Sequence, residues 1–201
     1  GREKMKYVES QTIETERLLL KAQPIKEQRR LREILMIPEV NRYYLTVPQK
    51  FRKKLSSWPE QEDFYKQAMQ QANELNVFEW SIFLKDTNTC IGKISCNETG
   101  IDPNIRDVGW YIDPDFQGKG YGTEAAKAMI DFMFYKAEIE KIITGAAIYN
   151  QASWKIMEHL GFERQKDTKM IQYTFSDKLT EDYIYVLTKE KYLEHCPSAK
   201  E

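Results

Sequence analysis

The sequence predicts an α/β fold, in which a mixed and largely antiparallel central sheet is flanked by helices. Between residues 78 and 112, three apolar runs separated by short turns form the pattern of antiparallel strands. After residue 120, helical periods alternate with further strand-like runs, which indicates strand–helix–strand units in the second half. Antiparallel strands joined by short turns exclude a doubly wound parallel sheet for the first half.

The elements follow in a simple order. The first strand is predicted over residues 16–22, with residues 8–12 as an extra edge segment. Helices are predicted from Ile25 to just before Pro38, and from Ser57, which stands at capping-box spacing from Glu60. Strands over residues 78–84, 90–96 and 105–112 come next. A long helix follows Gly122, and the chain ends with a strand over 141–149, a short helix, and strands over 162–173 and 183–187.

Composition limits the possible functions. The 201 residues are expected to form one domain, 1–201, and the 30 basic against 31 acidic residues predict no nucleic-acid or membrane-surface partner. The charged amino terminus is unlike a signal peptide, so a cytoplasmic protein is expected, monomeric or homodimeric. Cys90, Cys96 and Cys196 cannot form a disulfide framework, and with only two histidines no metal site is predicted. Cys90 and Cys96 stand at even spacing, the pattern of one packed strand face.

The segment Gln117–Gly122 (QGKGYG) carries the strongest functional signal. It lies between a predicted strand and a long amphipathic helix, and its alternate glycines leave backbone N–H groups unobstructed at the helix start, where a phosphate or pyrophosphate binds well. It is not a Walker loop, because Lys119 is followed by Gly120 rather than Ser or Thr. It is not a dinucleotide fingerprint, because Thr123 stands at the sixth position, counted from Gly118.

A second motif covers residues 150–162, with the sequence NQASWKIMEHLGF. It predicts a short helix with Asn150 as its N-cap and an apolar stripe formed by Ile156, Met157 and Leu160.

The two motifs together resemble the GNAT superfamily of N-acetyltransferases, in the branch of the ribosomal-protein N-terminal-alanine acetyltransferases. Gln117, Gly120 and Gly122 fit the Gln/Arg-x-x-Gly-x-Gly/Ala pyrophosphate loop, and the segments 15–20 and 91–94 resemble that branch's first strand and strand-entry motif. The resemblance covers about residues 12–191. It implies a GNAT-like fold and acetyl-CoA as the acyl-donor substrate. The cofactor-binding residues that it implies are Trp110, Tyr111, Ile112, Gln117, Gly118, Lys119, Gly120, Tyr121, Gly122, Thr123, Asn150 and Ser153.

Acyl transfer to an amine requires a neutral nucleophile, donors for the oxyanion and a hydrogen bond to the leaving thiolate. Asp107 is the first candidate for the base, directly or through water, at a position where the resembling branch commonly has Glu. Glu79, Glu98 and solvent remain alternatives. Ser153 is the candidate for the thiolate contact, since Met157 stands where many GNAT enzymes have a tyrosine acid. The alternative is that Ser153 only helps to start its helix. Backbone N–H groups near Trp110 and Tyr111 are the expected oxyanion donors.

The resemblance implies a primary amine as the acceptor, either a protein N-terminus or a small molecule such as an amino acid, a polyamine or an antibiotic. In the resembling family the region between the first two helices lines the acceptor pocket, and residues 41–58 here are rich in aromatic and basic side chains. The residues predicted to bind the acceptor are Tyr43, Tyr44, Glu79 and Glu98. A module that binds acyl-CoA without catalysis is the remaining alternative. An acyl-cysteine route through Cys96 is disfavoured, because no base adjoins that residue in sequence.

Overall fold

The computed structural model describes residues 11–22, 25–44, 63 and 78–196. Its helices are α1 (Ile25–Leu35), α2 (Pro38–Asn41), α3 (Tyr121–Tyr135), α4 (Gln151–His159) and α5 (Lys189–His195), with one short 3-10 turn, Pro114–Phe116. Its strands are β1 (Ile13–Glu14), β2 (Leu18–Ala22), β3 (Phe78–Leu84), β4 (Thr89–Glu98), β5 (Ile105–Ile112), β6 (Lys141–Ala147), β7 (Glu163–Ile171) and β8 (Thr180–Thr188). The helix predicted from Ser57 and most of the predicted edge segment lie outside the described residues.

The eight strands form one sheet in the order β1-β2-β3-β4-β5-β6-β8-β7. Every neighbouring pair is antiparallel except β5 and β6, which run parallel. This arrangement confirms the predicted mixed, largely antiparallel sheet. The parallel pair is short: only Ile105↔Lys141 and Arg106↔Ile142 are in register, and the two strands then diverge. That divergence opens the sheet at its centre.

The sheet has an apolar core on each face. The larger core packs α3 against inward side chains such as Phe78, Trp80 and Ile82, which alternate along β3 as the sequence predicts. The smaller core lies under α1 and contains Leu31, Ile34 and Tyr111. The described helices hold no apolar stretch long enough to cross a membrane.

One expectation about the sheet is wrong. Cys90 and Cys96 are both buried, but Cys96 belongs to the larger core and Cys90 to the smaller one, on the opposite face. The pairing of β3 with β4 shifts register after Ile82, which faces Gly92, while Phe83 faces Cys90. This bulge adds a residue to β4 and reverses which face the preceding side chains occupy. Even spacing predicts a shared face only in a regular strand.

Candidate active site

The glycine loop is held in a conformation that exposes its backbone. Gly118 and Gly120 have φ of +77° and +82°, in the left-handed region that favours glycine, and Gly120 is the N-cap of α3. The loop is tied back to the end of β5, because Gln117 Nε2 donates a 2.8 Å hydrogen bond to the Ile112 carbonyl. The first N–H groups of a 15-residue helix therefore open onto this loop.

A second anchor for the loop comes from the turn between β1 and β2. Arg17 donates through Nη1 to the Lys119 carbonyl at 2.9 Å and through Nε to Glu124 Oε1 at 2.8 Å. Thr15 Oγ1 donates to Glu124 Oε2 at 2.6 Å. Arg17 and Glu124 were not predicted as site residues. Arg17 lies inside the segment that carried the resemblance of the first strand, but nothing local in the sequence indicates a partner more than 100 positions away.

A groove runs from this loop along α4 to the centre of the sheet. With the exception of Lys119, the predicted cofactor-binding residues line it. The groove is lined by Glu39, Val40, Tyr43, Trp110, Tyr111, Ile112, Phe116, Gln117, Gly118, Gly120, Tyr121, Gly122, Thr123, Asn150, Ala152, Ser153 and Ile156. Lys119 instead places its ammonium 5.9 Å from the centre of the Phe116 ring. Gly122 lets α3 approach α4 closely, because a Cβ there would lie 2.9 Å from Ile156 Cδ1.

The diverging strands expose the backbone of Trp110. The Val108 carbonyl points toward β6, where it accepts a 3.1 Å hydrogen bond from Thr144 Oγ1, and residues two apart on a strand point the same way. The Trp110 N–H therefore also points toward β6, beyond the last registered pair of the parallel ladder. A backbone N–H that points into an opening between strands can bind a developing oxyanion.

Asn150 and Ser153 lie where the first turn of α4 meets the groove. Asn150 occupies the N-cap position as predicted, but within the described chain its side chain makes no capping hydrogen bond, so the capping role is wrong. The turn is instead closed by the backbone, because Ser153 N–H donates to the Asn150 carbonyl at 3.1 Å. Both side chains are thus available to a ligand in the groove.

A second cavity opens on the other side of Ser153. Its lining includes the proposed base Asp107 and the predicted acceptor-binding residues Tyr43 and Tyr44. The other lining residues are Val40, Asn97, Val108, Gly109, Trp110, Gly145, Ala146, Asn150, Ser153, Met157, Lys169, Ile171, Tyr173 and Asp182. Ser153, Trp110, Asn150, Val40 and Tyr43 line both cavities. The two cavities therefore meet at Ser153 and Trp110.

Of the three candidate carboxylates, the structure brings only Asp107 to this junction. Glu79 pairs with Lys93 at 3.1 Å and Glu98 lies 3.8 Å from buried Arg106. Neither is among the described residues that line the two cavities. Burial raises the pKa of the Asp107 carboxyl above its usual range, although the Thr144 hydroxyl and the charge of Lys169 partly offset that rise.

The cysteines are poorly suited to covalent catalysis. Burial raises the pKa of the Cys96 thiol to about 12 and that of Cys90 to about 11, so both are protonated near neutral pH. Within the ranges that the structure describes, no group of three or more His, Cys, Asp or Glu side chains could hold a metal ion.

Sequence reasoning missed the three titratable residues Lys169, Tyr173 and Asp182 of the second cavity. They come from β7, the connection to β8, and β8, far in sequence from Asp107. The predicted strand over 183–187 begins one residue after Asp182. Because Asp182 lies outside that strand, the sequence offered no indication of which residue on β7 it would face. Alternation along a longer strand could have placed Asp182 opposite Lys169.

Comparison with known proteins agrees with this geometry. The chain is 24% identical over 183 residues to the uncharacterized N-acetyltransferase p20 of Bacillus licheniformis, covering 90% of this chain and 98% of the relative. It is 25% identical over 117 residues to the uncharacterized N-acetyltransferase YnaD of Bacillus subtilis, covering 58% of this chain and 68% of the relative.

Among solved structures, the fold is similar to that of RimL, a ribosomal L7/L12 α-N-protein acetyltransferase in complex with coenzyme A. The TM-score is 0.74 at 16% identity, over 89% of this chain and 98% of RimL. Residues 17–163 match the acetyltransferase (GNAT) domain family, and this chain belongs to that family of N-acetyltransferases.

Proposed function

We propose that this enzyme transfers an acetyl group directly from acetyl-CoA to a primary amine. The observation that carries the proposal is the meeting of two cavities at Ser153 and Trp110. One cavity is a groove with a phosphate-binding loop at its far end, and the other is a polar pocket that contains a buried carboxylate. Such a pair of cavities brings a long anionic donor and an amine together at one point.

The groove suits coenzyme A because of what its loop presents. The N-terminus of α3 offers unpaired N–H groups and a positive dipole end to the pyrophosphate. Arg17 adds positive charge, since its Nη2 lies 3.3 Å from the position that a Cβ on Gly120 would take. The groove then leads past Asn150, whose amide can bond the pantetheine arm, to the opening beside Trp110.

At the junction, each step of the transfer has a group to serve it. Asp107, directly or through a water, accepts a proton from the acceptor ammonium, and the neutral amine attacks the thioester carbonyl. The Trp110 N–H stabilises the oxyanion, and the attacking nitrogen loses its extra proton to solvent. The C–S bond then breaks, the neutral amide forms, and the Ser153 hydroxyl donates a hydrogen bond to the departing thiolate. A serine hydroxyl is too weak an acid to give up its proton fully, so the thiolate is stabilised rather than protonated by it.

Two acceptor classes fit the pocket. A protein N-terminus is the class that the resemblance to ribosomal-protein acetyltransferases implies. A small-molecule amine is favoured by a specific observation, the presence of a second carboxylate, Asp182, in the same pocket. A module that only binds acyl-CoA would have no need for the half-buried carboxylate of Asp107 beside the thioester.

An acceptor screen tests the proposal. Release of free thiol from acetyl-CoA is measured with short peptides that begin with alanine or serine, with amino acids and with di- and polyamines. We expect release that depends on a primary amine and matches the amount of acetylated amine found by mass spectrometry. Binding of acetyl-CoA with no acetylation of any amine would favour the non-catalytic module.

A further inference from the structure

Asp182 is a buried carboxylate with one oxygen left without a hydrogen bond among the described residues. The residue is 3% exposed, and its Oδ2 accepts a 2.5 Å hydrogen bond from the Tyr173 hydroxyl. Its Oδ1 is buried and has no hydrogen-bond partner within the described part of the chain. A buried acceptor left unpaired is destabilising, so this oxygen will gain from any ligand that brings a donor.

Asp182 belongs to the second cavity, which we propose receives the acceptor. Asp182 lines the same cavity as Asp107 and Ser153, and the cavity volume of about 390 Å³ is in the range of small-ligand sites. Gly145, on β6 between the two carboxylates, has no side chain that would fill this part of the pocket. A Cβ on Gly145 would lie 3.6 Å from Asp182 Oδ2 and 3.4 Å from Lys169 Cε.

The charges of the pocket favour a cation. Two carboxylates, Asp107 and Asp182, face one ammonium, that of Lys169, which stands opposite Asp182 in the pairing of β7 with β8. The charge of Lys169 acts on the pKa of both carboxyls, so it lies within reach of both. Its side chain is exposed and its stem is flexible, which makes Lys169 an internal cation that a ligand ammonium can replace at small cost.

Asp182 and Asp107 enter the pocket from two strands that are not neighbours in the sheet. They stand on β8 and β5, with β6 between them, so their backbones are separated by two strand spacings, at least ~10 Å. Asp107 lies one residue after Arg106, which belongs to the last registered pair of β5 with β6, and three before Trp110, on the side of the thioester. A carboxylate held by Tyr173 also stabilises an ammonium in its charged form, which suits a group that must not react.

We propose that Asp182 binds a second, protonated amino group of the acceptor, so that the acceptor class is a small diamine or polyamine. The inference rests on the proposed function, since it concerns the acceptor of that same reaction. One amino group of the acceptor reacts beside Asp107 and Ser153, while the other donates to Asp182 Oδ1 and displaces the ammonium of Lys169.

The test measures binding of two matched amines by calorimetry to the enzyme saturated with coenzyme A. Diaminobutane carries the second ammonium and butylamine lacks it. We expect diaminobutane to bind at least about 10-fold more tightly to the wild type, because a charge-assisted hydrogen bond is added. In Asp182→Asn, whose amide oxygen still accepts from Tyr173, the two amines should bind equally while the affinity for acetyl-CoA is unchanged.

Lys169→Gln is an independent variant that should have the opposite effect on diaminobutane affinity, and it can be used if Asp182→Asn fails to fold. Removing the internal cation should tighten diaminobutane binding and leave butylamine less affected. The inference would be overturned by equal binding of both amines to the wild type, or by a preference for diaminobutane that survives in Asp182→Asn. It would also be overturned by weaker diaminobutane binding in Lys169→Gln, or by acetylation of peptides but not of diamines. If acetyl-CoA does not bind or no amine at all is acetylated, the proposed function itself is wrong.

Discussion

The two cavities that meet at Ser153 are built from different parts of the polypeptide. The groove beside the glycine loop, which we propose binds the donor, is mainly a product of backbone geometry, with left-handed glycines, a helix N-terminus and diverging strands. The pocket that we propose binds the acceptor is a product of side chains that arrive from β5, β7 and β8. Backbone groups recognise a phosphate or an oxyanion whatever the side chains are, while a carboxylate in a buried position selects the charge of its ligand. Binding of acetyl-CoA in the groove should therefore be sensitive to substitutions that move the backbone. Binding and turnover of the acceptor in the pocket should be sensitive to substitutions that change a charge.

The largest expected effect is on the backbone of the groove. Gly120→Val places a branched side chain at φ +82°, against the guanidinium of Arg17. We expect the Kd for acetyl-CoA to rise ~100-fold or more by calorimetry, because both the loop conformation and access of the phosphates are lost. Gly100→Val is the matched control: Gly100 has φ +80°, no atom near its Cβ position, and a place in the turn before β5. Equal loss in both variants would mean that strain alone, and not the loop, sets affinity.

On the pocket side, Asp107→Asn should lower kcat by about 100-fold while acetyl-CoA affinity stays near that of the wild type. A base acts only when ionised, so kcat/KM rises with pH as the carboxyl loses its proton. Because burial raises the pKa of Asp107, that rise should fall above the ordinary aspartate range of about 4, and it should be absent in Asp107→Asn. Glu79→Gln and Glu98→Gln serve as controls; a comparable loss of turnover in either would move the base to that residue.

At the junction, Ser153→Ala should reduce kcat about 10-fold and change the KM for acetyl-CoA little, because the hydrogen bond to sulfur strengthens only as the thiolate forms. Ser176→Ala, in the connection from β7 to β8, is the control for the loss of a hydroxyl. Steady-state kinetics with a confirmed acceptor separate the two parameters. A raised KM with an unchanged kcat would assign Ser153 to the groove alone.

The smallest effect is expected where the groove is anchored. Glu124 is partly desolvated, yet bonds from Thr15 and Arg17 lower the pKa of its carboxyl. Because the pKa of this carboxyl is lower in the folded state than in the unfolded state, its ionised form stabilises the fold above the ordinary glutamate pKa. That stabilisation is lost as the pH falls through the pKa of the folded state. Glu124→Gln should thus lower the free energy of unfolding, measured by thermal denaturation at pH 7, by about 1 kcal/mol, and the difference from the wild type should shrink in acid. Glu14→Gln, at an exposed ion pair with Lys85, should change little; equal shifts would contradict the anchoring role.

The same contrast explains what the sequence could predict. The groove follows from contiguous motifs, so Gln117, Gly120 and Gly122 indicate a helix start, a loop and a ligand class together. The pocket depends on register between distant strands. Asp182 meets Tyr173 only across the turn before β8, and a single bulge in β4 suffices to put Cys90 and Cys96 on opposite faces. The Arg17–Glu124 anchor was missed for the same reason, since its partners are joined only by the folded sheet.

Direct transfer across the junction is the central claim, and rapid-quench intact-protein mass spectrometry tests it most directly. The enzyme is mixed with acetyl-CoA, with and without an accepted amine, while thiol release is followed in parallel. We predict thiol release only when the amine is present, in equal amount to the acetylated amine, with unmodified protein at every time, because the buried thiols of Cys90 and Cys96 stay protonated. An acetyl group that forms on Cys96 without the amine and then passes into the product would contradict the account.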